Sequence, residues 1–119
     1  MDWERAGRFV RAARARRYTT VEAFAEACGF SETTILDIEL GRRSNFKDTT
    51  LLRVEAELGW PDGLIEALAG GAPMPLDLDP DLQMLADLWH RLTPRDKVAV
   101  LTLARQLARP GQEPGPRRR

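Results

Sequence analysis

Residues Gly29–Arg43 read GFSETTILDIELGRR. Gly29 ends one short helical pattern and suits a left-handed C-cap. Ser31 follows two residues later, and its hydroxyl suits an N-cap. Ile35 and Ile38 then recur at helical spacing before Gly41 and the pair Arg42–Arg43. A chain that needed only a core could run one longer helix here. Breaking and restarting within three residues sends the second helix off at a set angle, with one face turned to something outside the protein.

The flanking segments read as helices too. Asp2 caps a first helix to about Arg16, with Trp3, Ala6, Phe9, Val10 and Ala13 forming one apolar stripe. Arg5, Arg8, Arg11 and Arg14 form a basic band that reads as a solvated face. Thr19-x-x-Glu22 has capping-box spacing, which predicts a second helix over 20–28 with Val21, Phe24, Ala25 and Cys28 inward. The third helix spans Glu32 to about Leu40, and Arg42–Lys47 is a polar loop. Asp48 caps a fourth helix, carrying Leu51, Leu52, Val54 and Leu58 and ended by Gly59. Pro61 suits the first turn of a fifth, over 61–68.

Residues 70–80, rich in Gly and Pro, read as a linker. Two helices follow, over 81–92 and from the Thr93 cap to about Ala108. PGQEPGPRRR at 110–119 lacks apolar residues and reads as disordered. The fold class is therefore all-α: a five-helix domain over 1–69, a linker, a two-helix hairpin over 81–109 and a tail.

Composition narrows the function. The 119 residues carry 18 Lys and Arg against 18 Asp and Glu, so bulk charge favours no polyanion. The distribution is uneven: residues 1–47 hold nine basic and seven acidic side chains, whereas 48–109 hold six and ten. A polyanion footprint belongs in the first part or in the tail, where Arg117–Arg119 read as a solubilising end. No apolar run is long enough to span a bilayer, and Asp2, Glu4 and Arg5 interrupt any signal-peptide core. One cysteine excludes an internal disulfide and points to the cytoplasm. One His with one Cys gives no metal site, His90 reads as surface, and Trp3, Trp60 and Trp89 read as core or interface. No catalytic set stands out, so an enzyme is not expected, and no cofactor or small-molecule ligand is implied.

Helix, glycine turn, helix is helix-turn-helix spacing. The residues Phe24-Ala25, Gly29, Ser31, Ile35, Ile38-Glu39, Gly41 and Arg42-Arg43 follow one pattern. In it Thr19–Arg43 resembles the phage-repressor type of helix-turn-helix domain, the Xre family, and the helix order extends that likeness over residues 3–68. The resemblance implies a regulator that lays its second motif helix in the major groove, which at about 12 Å admits one helix. The outward residues there are Glu32, Thr33 and Thr34, with Asp37 one turn on; Glu32, Thr33 and Asp37 match the family's base-reading positions. Arg42, Arg43, Asn45 and Lys47 fall where the family clamps phosphate, and Arg17 and Thr20 stand at the start of helix two, where an N-terminus favours phosphate.

The implied partner is double-stranded DNA and the implied setting the nucleoid. Residues 81–109 read either as a homodimer interface or as a flap completing one core with helices one and five. Repressors of phage-immunity or host type and antitoxins all fit. The alternative is a protein-interaction adaptor, with the DNA face converted by the carboxylates of Glu32 and Asp37.

Overall fold

The chain begins with a capped helix whose apolar stripe organises everything after it. In a computed structural model describing residues 1–108, Asp2 accepts the Arg5 backbone N–H at 2.9 Å and α1 runs Trp3–Arg17. Its stripe of Ala6, Val10 and Ala13 is buried. Helices α2 (Val21–Cys28), α3 (Glu32–Glu39), α4 (Asp48–Leu58) and α5 (Leu64–Ala69) follow, and α1 packs along both α3 and α5. Phe24, Ile35, Val54, Ile65 and Leu68 are fully enclosed between them. Burying each such side chain stabilises the fold by roughly 1.5–3 kcal/mol. No described residue lies in a strand, as an all-α chain requires. The tail at 110–119, with Arg117–Arg119, lies outside the described residues.

Two contacts set how α1 meets α3. Gly7 lies on the last turn of α3, where an added Cβ would stand 2.4 Å from the carbonyl oxygens of Ile38 and Glu39. One helical stretch further on, the Arg14 guanidinium makes two parallel bonds to the Glu39 carboxylate, at 2.9 and 3.0 Å. Both residues are buried. Arg14 is thus not part of the solvated band that its spacing suggested: it lies beside the apolar stripe and turns inward to a partner that sequence distance hides. At the start of α1, the Asp2 N–H and the Arg5 guanidinium donate to the carbonyls of Ala69 and Leu68. Asp2 thus meets a carbonyl at the end of α5, and Arg5 adds a second bond to the Leu68 carbonyl, which also accepts the Gly71 N–H.

Several boundaries differ from the sequence expectation, each for a local reason. Thr20, not Thr19, caps α2, because its hydroxyl accepts the Ala23 N–H three residues on, at 3.1 Å. Lys47 takes the cap position of α4 without a side-chain bond, so Asp48 is the first helical residue and acts as a first-turn charge. Helix α5 starts at Leu64 rather than Pro61. Its N-terminus is capped from α4: the buried Glu55 carboxylate accepts the N–H of Gly63 at 2.9 Å and of Ile65 at 2.8 Å.

The stretch that composition marks as a linker packs back on the domain. Met74 is buried, and Leu78, in a short 3-10 turn over Leu76–Leu78, packs against the core. The first unit accordingly extends to Gln83, and a second begins at Met84. Helix α6 spans Pro80–Trp89, opened by Asp79, whose carboxylate accepts the N–H of Asp81 at 3.0 Å, with proline in the first helical position. Helix α7 spans Pro94–Leu107 behind the Thr93 cap, as its sequence predicts. It buries none of its residues, and Val98 and Leu107 are 63% and 64% exposed.

Two outcomes follow. Glu39→Ala leaves a buried guanidinium unpaired and should cost about 3 kcal/mol in urea or thermal unfolding. Cys28 is buried, and burial pushes its thiol up to about 11. An alkylating reagent at neutral pH should therefore leave native protein unlabelled and modify Cys28 once urea unfolds the chain.

Candidate nucleic-acid interface

Helix α2 closes on Gly29, whose N–H returns to Glu26, while the Phe30 N–H returns to Ala25 at 2.9 Å. The half-buried Phe30 then packs against the core at the corner. Ser31 starts α3, its hydroxyl accepting the Thr34 N–H at 3.2 Å. Phe24, Ala25 and Cys28 of α2 share one buried cluster with Ile35 and Ile38 of α3. The buried apolar residues of α3, Ile35 and Ile38, thus face the core, and Glu32 and Thr33 of its first turn do not.

On that open side Glu32 and Thr33 are exposed. Thr34 is half-buried, and its hydroxyl lies 3.1 Å from that of Ser31, so it serves the cap. Asp37 is not a free carboxylate. Its two oxygens face Arg42 Nε at 3.1 Å and Arg43 Nη1 at 3.5 Å, and its side chain is 14% exposed. The base-reading and phosphate-clamping candidates at this end thus form one ion-paired group.

The turn after α3 brings them together. Gly41 has φ +67°, a conformation costly for other residues, and an added Cβ there would stand 2.6 Å from the Glu4 backbone nitrogen. With Gly41 so placed, its N–H bonds the Ile38 carbonyl at 3.2 Å and the Arg42 N–H bonds the Asp37 carbonyl at 2.9 Å. This six-to-one closure folds Arg42 back over the helix it has just left. Arg43 continues outward and lies over the Phe46 ring, 4.6 Å from its centroid. Phe46 in turn packs against the core and lies 6.3 Å from the Trp3 ring. Asn45 and Lys47 are exposed beside them.

Arg17 and Thr20 occupy a different place. Arg17 ends α1 instead of opening α2, and its guanidinium donates to the Glu57 carbonyl in the last turn of α4 at 3.1 Å. The neighbouring Tyr18 hydroxyl donates to the Glu57 carboxylate at 2.6 Å. That bond lowers the Glu57 pKa and raises that of Tyr18. Thr20 is exposed at the start of α2 with its hydroxyl used as the cap.

Sequence reasoning passed over Phe46, and it named Glu39 only as a residue of the motif pattern, without a partner. Phe46 stood in a segment read as polar loop; a lone aromatic three residues after an arginine was the available signal. Glu39 lies next to the inward Ile38, which could have marked it as a buried acid in need of a cation. Among the described residues, no three or more His, Cys, Asp or Glu side chains gather as metal ligands would, and no helix is long and apolar enough to cross a membrane.

No curated protein and no solved structure matches the chain. The family model of the helix-turn-helix domain matches residues 5–70, more than half of the sequence, and on that match the chain belongs to the helix-turn-helix domain family.

Proposed function

We propose that this protein is a sequence-specific DNA-binding regulator, a repressor that occupies an operator and thereby blocks transcription. The observation that carries the reading is the open first turn of α3, with Glu32 and Thr33 exposed, followed directly by the cationic loop of Arg42, Arg43, Asn45 and Lys47. In this reading α3 lies in the major groove. Thr33 offers a hydroxyl to base edges and a methyl to thymine, and Glu32 accepts from cytosine N4. The loop after α3 holds the phosphates, and Thr20 with the start of α2 supplies a second backbone contact. Arg17 gives one N–H to the Glu57 carbonyl at the end of α4, keeps its other donors, and stays in the proposed contact set beside Thr20.

Two copies acting together on a two-fold site would supply the affinity that one motif lacks. Residues 81–109 are the proposed homodimer element. What supports this is the unburied apolar surface of α7, where Val98, Leu101, Leu103 and Leu107 all remain in water. A second copy brings its own α7 with the same apolar surface.

Selection from a randomised duplex pool, followed by salt titration, tests the reading. With about five phosphate contacts, the logarithm of affinity should fall against that of salt with a slope of about −4 to −5. Thr33→Ala should relax preference at one base position by up to about tenfold, whereas Arg43→Ala should weaken all sequences alike and reduce the slope by about 1. A protein-interaction adaptor of the same fold, or an antitoxin working only through its protein partner, would bind no duplex even at low salt. Light scattering at tens of micromolar should give the mass of a dimer, and a monomer there would end the dimer proposal.

A further inference from the structure

We infer that Asp37 is a positioning residue for the phosphate clamp and does not read a base. The inference rests on the DNA-binding reading above and assigns Asp37 a different part in it. Three observations carry it. The Asp37 carboxylate is engaged on both oxygens by Arg42 Nε and Arg43 Nη1, at 3.1 and 3.5 Å, and its side chain is largely covered. The backbone closes the same group, because the Arg42 N–H bonds the Asp37 carbonyl across the Gly41 turn. Finally, the contacts with Asp37 leave donors over. Arg42 meets the carboxylate as an ion pair through Nε and keeps both terminal nitrogens, and Arg43 donates from one terminal nitrogen and keeps Nε and the other.

An arginine at an exposed chain turn ordinarily explores many rotamers, and fixing it on a phosphate costs that freedom. Asp37 and Phe46 take up that ordering in advance. Arg43 is held from one side by the carboxylate and from the other by the aromatic face at 4.6 Å. Arg42 is held by its side chain and by its own backbone N–H. A carboxylate covered to this extent, with 14% of its side chain exposed, offers little surface to a cytosine amino group. It also resolves an electrostatic difficulty, since a free Asp37 would face the same phosphates that the arginines are placed to hold.

The test compares the unmutated protein with Asp37→Asn, using duplexes selected from a randomised pool and a fixed duplex of unrelated sequence. Bare charge arithmetic predicts tighter binding when a carboxylate beside DNA is removed. Positioning predicts the opposite: affinity three- to tenfold weaker for both duplexes, a salt slope shallower by about 1–2, and an unchanged preferred sequence. Arg42→Gln probes the same group from the other side and should weaken both duplexes alike. In the Arg42→Gln, Arg43→Gln background, Asp37→Asn should no longer weaken binding, a dependence that general loss of fold would not produce. Tighter binding, a changed base preference, or a loss that persists in full without the arginines would each overturn the assignment. If the unmutated protein binds no duplex at low salt, the regulator reading itself fails and takes the assignment with it.

Discussion

The bidentate pair between Arg14 and Glu39 is the constraint on which the placement of α3 depends. A helix of eight residues has too little surface to set its own direction by apolar packing alone. Ile35 and Ile38 hold it to the core, but contacts of that kind tolerate sliding and rotation. A planar guanidinium facing a carboxylate does not, because both bonds survive only in one orientation. Enclosing the pair raises the stakes, since either charge left alone away from water costs several kcal/mol. Gly7 adds a second restriction a few residues away, letting α1 lie directly on the last carbonyls of α3. The end of α3 is thereby pinned, while its first turn stays open.

That division explains how one short helix carries two kinds of residue. Its C-terminal part is committed to the protein: Ile38 and Glu39 inward, Asp37 to the arginines that follow Gly41. Its N-terminal part is committed only to Ser31 and Thr34, which close the cap between themselves. Glu32 and Thr33 are left over at the end where the helix dipole is positive, which favours an approaching anion. The negative side chain of Glu32 opposes that attraction. An exposed acid at this place lowers affinity for phosphate in general and recovers it only against a donor such as the cytosine amino group. In the proposed complex with DNA, Glu32 would act on selectivity more than on strength.

Much of this was legible in the sequence, and the pattern of what was not is itself physical. Elements whose signals are local came through: Asp2, Ser31 and Thr93 as caps, Gly29 and Gly59 as ends, and the alternation of Ile35 and Ile38 toward the core. What failed depended on partners far along the chain. Arg14 looked like one of four evenly spaced surface arginines because Glu39 is 25 residues away. Helix α5 was started three residues early because its true cap, Glu55, belongs to another helix. Met74 sat in a glycine- and proline-rich stretch, and composition gave no hint that one side chain in it fills the core.

At the candidate site the same rule holds in a sharper form. Residue types and spacing named the loop that flanks α3, and the structure sets Arg42 and Arg43 directly after Gly41. Spacing alone could not show that Asp37 and the arginines satisfy one another, since the contact is created by a backbone reversal at Gly41 and not by helical periodicity. A carboxylate counted as a free acceptor and two guanidiniums counted as free donors become, once the turn is made, a single preorganised unit with its remaining donors available. The net charge of such a unit is +1, less than two isolated arginines would offer. What it gains is geometry: cations held at the end of α3, at a distance from Thr33 that the turn and not the solvent decides.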